Sequence, residues 1–152
     1  MSQINRTILI FQRKIKMGLF DAFKSEPLKL SPRLSLAVGL LFMMAADGEI
    51  ESEEVGHLQS VVGGDHELVH SAIKYIKSVK YAQFLEEAAA LLNSQQKLCI
   101  LINMADSLLS DGHADATERA TFFQALSAFG LTEDGFKLHY QTIALKNNRS
   151  IF

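Results

Sequence analysis

Ala46-Asp47-Gly48-Glu49-Ile50-Glu51-Ser52-Glu53-Glu54 returns later in the chain as Ser110-Asp111-Gly112-His113-Ala114-Asp115-Ala116-Thr117-Glu118. The offset is constant: 111 − 47 is 64, and Glu51 with Asp115 and Glu54 with Glu118 keep the same spacing. Each copy follows a strongly apolar segment and precedes an amphipathic one, so each reads as helix, tight acidic turn, helix. Gly48 and Gly112 supply the left-handed residue that closes a helix.

Outward from the first copy, Ser31 and Pro32 stand as N-cap and first helical residue, and predict a helix running to Asp47. The segment 34–46 is apolar on all sides, and so is the segment ending in the second copy, with Leu98, Ile100, Leu101, Ile102, Met104, Ala105, Leu108 and Leu109. Helices without a polar face are central, so these two are expected to pack on each other. Between them the pattern predicts a helix over 52–62 stopped by Gly63 and Gly64. A helix capped by Asp65 follows, with Val69, Ala72, Ile73 and Ile76 on one stripe. After a break at 78–80 comes a helix with Phe84, Leu85, Ala88, Leu91 and Leu92 inward, and Ser94 is read as the cap of the second central helix. Beyond the second turn, 117–129 is a helix closed by Gly130, and Thr132 caps a last one with Phe136, Tyr140 and Ile143 inward. No window alternates with the period of a strand. The expected fold is an all-α, single-domain bundle of about seven helices, built from two pseudo-repeated helix-turn-helix halves.

A chain of 152 residues, 48% hydrophobic, can bury a core without staples. Cys99, between Leu98 and Ile100, has no partner for an intramolecular disulfide and is expected to be a small buried side chain, which fits a reducing cytoplasm. The longest uncharged run, 34–46, is about a dozen residues where a bilayer span takes roughly twenty. The first residues lack the small-residue cleavage site of a signal peptide. Residues 1–33 hold seven basic side chains against Asp21 and Glu26, a net +5 in a chain of net −2. The positive charge therefore sits in the tail and not on the fold, which argues against a nucleic-acid-binding core. Domain boundaries follow: a basic extension at 1–29 and the helical domain at 30–148. Ile4, Ile8, Phe11 and Ile15 recur at helical spacing among Arg6, Arg13 and Lys14, as in a segment lying on an anionic membrane surface. Met17-Gly18-Leu19-Phe20-Asp21 also reads as a bacterial protein start, which would place 1–16 upstream of it.

An Asp at a helix C-terminus opposes the dipole at a cost of about 0.3–1 kcal/mol, and both copies accept it. One compensation is local. The Asp carboxylate turns forward to accept backbone N–H groups of the next helix, Asp115 with Glu118 forms a capping box, and Ile50 with Val55 forms a hydrophobic staple. The other is a cation: Asp47, Glu51, Glu54, Asp111, Asp115 and Glu118 are six carboxylates, and calcium or magnesium takes oxygen ligands. One turn alone is too sparse, so a single site needs the two turns brought together. Capping explains most of the pattern. Arg119 is placed to neutralise the second copy, and the first has no such neighbour.

Met43-Met44-Ala45-Ala46-Asp47-Gly48-Glu49-Ile50 with Glu54, and Leu108-Leu109-Ser110-Asp111-Gly112 with Ala114, Asp115 and Glu118, resemble the duplicated motif of the tellurite resistance protein TerB family and TerB-like domains. The resemblance covers residues 30–146. It implies an all-helical fold, an association with bacterial tellurite and stress resistance, and a metal-responsive or partner-binding surface at the acidic turns. Family members are not established enzymes. Ser110, Ala114 and Glu51 depart from the family pattern, which favours the first turn for a ligand and the second for capping.

His66-Glu67-Leu68-Val69-His70 spells H-E-x-x-H, two imidazoles one helical turn apart with a Glu able to act as general base. The helical wheel sets both histidines on the shoulder beside Lys77 and Glu67 outside, so no cleft is implied. Glu86 and Glu87 are the downstream candidates for a third zinc ligand. No nucleophile elbow of the G-x-S-x-G type is present. The expected function is a non-enzymatic, cytoplasmic TerB-like module that binds a divalent cation, a protein partner, or both at the acidic turns, with homo-oligomers compatible. A zinc-dependent hydrolase using His66, Glu67 and His70 is the first alternative. The second is a structural domain docked by its basic tail on a membrane or a membrane-associated protein.

Overall fold

The computed structural model describes residues 28–110 and 114–152, and within them seven α-helices and no strand. They are α1 Pro32–Met44, α2 Ser52–Val61, α3 His66–Ser78, α4 Tyr81–Leu91, α5 Ser94–Ser110, α6 Ala116–Ala128 and α7 Glu133–Asn147, followed by a short 3-10 turn Arg149–Ile151. The basic segment up to residue 27, with its amphipathic stretch, and Asp111, Gly112 and His113 lie outside the described residues. No helix among the described residues is long and apolar enough to cross a membrane.

Local chemistry sets the helix ends. The Ser31 hydroxyl accepts the Leu34 N–H at 3.1 Å, Asp65 accepts from Leu68 at 3.0 Å, and Thr132 accepts from Gly135 at 3.0 Å. Each satisfies an N–H that the helix cannot. Gly63 and Gly64 take φ of 69° and 76°. That lets the Gly63 N–H reach the Ser60 carbonyl and the Gly64 N–H the Gln59 carbonyl, a Schellman ending. Gly130 closes α6 in the same way, through bonds to Ser127 and from Leu131 to Leu126.

Two boundaries differ from the sequence reading. Helix α1 stops at Met44 and not at Asp47: Ala46 bonds to Met43 and Gly48 to Ala45, tightening the chain into an i→i+3 turn. The Asp47 side chain drives this by offering the Glu49 N–H an acceptor that competes with helix continuation. The cap of α5 is Asn93 and not Ser94. Asn93 Oδ1 accepts the Gln96 N–H at 2.9 Å while Gln96 Oε1 accepts the Asn93 N–H at 3.0 Å, a capping box that Ser94 cannot make one residue later.

Helices α1 and α5 are the central pair. α1 packs on α3 and α5 and also meets α2, α4 and α6; α5 packs on α1, α6 and α7. Ala37, Val38, Leu40, Leu101, Met104 and Ala105 are wholly buried between them and their neighbours. Gly39 sits at the crossing, where an added Cβ would stand 3.2 Å from Ile100 Cγ2 and 3.8 Å from Met104 Sδ. The missing side chain lets the two helices approach. On the α3 and α4 side, Phe84 is ringed by Phe42, Tyr81 and Tyr75 at centroid distances of 5.5–6.2 Å. On the other, Phe122 of α6 meets Phe136 of α7 at 5.4 Å.

The inward stripes are narrower than expected at three positions. Cys99 is exposed, because the buried stripe of α5 is Ile100, Leu101, Met104, Ala105 and Leu108, and Cys99 turns outward beside Asn103. Leu91 and Tyr140 keep 43% and 40% of their surface at the edges of their stripes. Conversely Tyr75 of α3 is 1% exposed; its hydroxyl donates to Glu87 at 2.7 Å, and Gln83 donates to the other oxygen of that carboxylate. Burial, that hydrogen bond and the Glu87 charge all push the Tyr75 phenol above its ordinary range.

Candidate functional site

The first acidic turn is a short exposed arch between α1 and α2. Asp47 Oδ1 accepts the Glu49 N–H at 2.9 Å, Gly48 carries φ of 89°, and Glu54 Oε2 accepts the Glu51 N–H at 2.8 Å as part of a capping box on α2. The Asp47 bond closes within the turn and does not reach α2 as the sequence suggested, because Gly48 folds the chain back before the helix begins. Ile50 and Val55 occupy the two staple positions, and Ile50 keeps 39% of its surface exposed. Asp47, Glu49, Glu51 and Glu53 are exposed and form no ion pair with any of the described residues. Glu54 is buried.

Of the second turn, the part from Ala114 onward is described. Asp115 Oδ1 accepts the Glu118 N–H at 2.8 Å and Glu118 Oε2 accepts the Asp115 N–H at 3.2 Å, the expected capping box in full. The N-caps Glu51 and Asp115 and the starts of α2 and α6 keep the 64-residue offset of the sequence motif. Capping is thus present in both copies and not confined to the second. Arg119 forms no ion pair with Asp115 or Glu118 and lines a groove beyond them.

Of the six candidate cation ligands, Asp47, Glu54, Asp115 and Glu118 each spend an oxygen on a backbone N–H. Asp111 lies outside the described residues. No three His, Cys, Asp or Glu side chains among the described residues are grouped closely enough to hold one ion. What the arch of residues 47–54 retains is an exposed set of carboxylates with no ion-pair partner among the described residues.

His66, Glu67 and His70 are all exposed on α3. Glu87, a candidate third zinc ligand, lies instead at Tyr75, five residues further along α3 and on its buried face, with both oxygens engaged. Among the described residues, His66, His70 and Glu87 do not form a group that could hold one ion.

Two features carry no signature in the sequence. Asp106 of α5 accepts from Lys146 and Asn147 of α7, both at 2.8 Å, and ties the end of the last helix to the central one. Burial alone would raise its pKa, but the hydrogen bonds from Lys146 and Asn147 and the charges of Lys146 and His57 hold it below the ordinary carboxylate value. The second is a groove of about 470 Å³ between α6 and α7, lined by Arg119, Phe122, Phe123, Phe136, Lys137 and Tyr140 among others. Phe123, 43% exposed, also lines a shallower groove against α4. The adjacent pair Phe122-Phe123 is the one hint the sequence offers, since neighbouring helix positions cannot both face inward.

Comparison with known protein families, with curated proteins and with solved structures finds no match for this chain.

Proposed function

We propose that this is a non-enzymatic TerB-like binding module, built from two helix-turn-helix halves, whose first acidic turn takes a cationic ligand. The observation that carries the reading is the exposed arch of Asp47, Glu49, Glu51 and Glu53, which no basic side chain among the described residues neutralises. Four like charges within seven residues repel one another, and a bound cation relieves that repulsion. The ligand class is a basic segment of a partner protein, or a hydrated calcium or magnesium ion held in part through water. A fully chelated ion fits less well, because capping already occupies Asp47 and Glu54 on one side each. The second turn serves as a capped corner of the bundle. A role in tellurite or general stress resistance follows from the family resemblance alone, and a cytoplasmic place from the lone Cys99 and the missing signal-peptide cleavage site.

The test is thermal melting in EDTA, then with calcium, magnesium or an oligolysine peptide, for the wild type and for Asp47→Asn/Glu53→Gln. The double variant removes charge while Asn keeps the acceptor for the Glu49 N–H. A ligand at a hundred times its dissociation constant adds about 2.7 kcal/mol, a rise of several degrees in a domain of this size. The expected result is a rise with one of these cations that the double variant loses. Equal melting under every condition would contradict the proposal.

A further inference from the structure

The H-E-x-x-H motif is left over once the acidic turn is assigned, and the structure gives it a different use from the peptidase reading. We propose that His66 and His70 form a two-imidazole clip for a borderline divalent cation, zinc first, on the outer face of α3. Both side chains are exposed, so both imidazoles are open to a metal arriving from solvent. Residues four apart on a helix lie one above the other, with Cβ atoms about 5–6 Å apart, a separation that lets two imidazole nitrogens reach one ion.

The helix that carries them is fixed on its other side. Val69 and Tyr75 are 1% exposed and Ala72 is fully buried against the core, so α3 cannot turn the pair away from solvent. The Asp65 carboxylate caps the first turn at Leu68 and holds Arg33 at 3.1 Å, which orders the turn that bears His66 and engages one of the two carboxylates adjacent to it in sequence. Glu67, exposed between the histidines, adds negative charge where the helix dipole would otherwise oppose a cation. Among the described residues no third donor completes the set. Two tetrahedral positions are therefore left to water or to a donor from another molecule. Nitrogen donors select zinc, copper and nickel over calcium and magnesium, so this clip and the carboxylate arch are separable by choice of metal. The clip does not rest on the reading of the acidic turn.

The experiment is calorimetric titration of the full chain with zinc chloride in a non-chelating buffer, on the wild type, His66→Ala, His70→Ala and Asp47→Asn/Glu53→Gln. The expected result is saturable binding of one zinc in the wild type, weakened at least tenfold in each histidine variant and unchanged in the turn variant. Because both histidines are exposed, the two variants should melt with the wild type in EDTA; His70→Gln provides a second substitution at that position. Zinc binding that survives in both histidine variants, or no saturable binding in the wild type, would overturn the proposal.

Discussion

Asp115 holds the start of α6 by accepting the Glu118 N–H, and Asp115→Ala leaves that donor without its acceptor. The expected cost is roughly 0.5–2 kcal/mol, read by urea melting, whereas Asp115→Asn should retain most of the stability because Asn caps nearly as well. An equal loss in both variants would mean that the charge, and not the cap, is what matters. Asp106 gives a pH-dependent counterpart. Its folded-state pKa is depressed below 3.8, so its contribution is present above that value and is lost as pH falls through the folded value. As pH falls below about 4 the wild type should therefore lose stability more steeply than Asp106→Asn, with parallel curves near neutrality; coincident slopes throughout would remove the Asp106 bridge. Caps such as Ser31, Asp65, Asp115 and Thr132 were legible in the sequence because capping is a three-residue event. The Asp106 bridge was not, since Lys146 lies 40 residues away and nothing local announces it.

The helices themselves were legible because Pro, Gly and the apolar stripes are local signals, and the pairing of α1 with α5 followed from their having no polar face. The edges of the stripes were not. Cys99 and Tyr140 look inward on a helical wheel, but which flank of a helix stays open depends on how many neighbours cover it. α7 rests mainly on α5, with Phe136 meeting Phe122 of α6, so its outer flank, with Leu138 and Leu145, meets solvent. Gly39 was equally silent: a glycine in an apolar run reads as a neutral residue until a second helix is laid against it. Gly39→Leu should cost on the order of 1–3 kcal/mol by overpacking against Ile100 and Met104, read as a lowered urea midpoint. A variant as stable as wild type would show that the central helices do not cross there.

For the molecule as a whole, the chain divides its charge between a basic segment over 1–33 and an acidic helical domain, and its most concentrated acidic feature is the arch of residues 47–54. The sequence located that arch correctly through its repeat. Capping, which the sequence reading already gave the larger share of the pattern, engages an oxygen of each of Asp47, Glu54, Asp115 and Glu118 with a backbone N–H. Among the described residues, the first turn keeps Asp47, Glu49, Glu51 and Glu53 exposed, and the second shows the capping box of Asp115 and Glu118. The most direct measurement is an amide NMR titration of the full chain with calcium, magnesium and oligolysine in turn, comparing Gly48, Glu49 and Ile50 with Ala114, Asp115 and Ala116. Saturable shifts in the first group, with the second unmoved, are the predicted result; no shift in residues 47–54 with any of the three, or equal shifts in both groups, would contradict a binding role for the first turn.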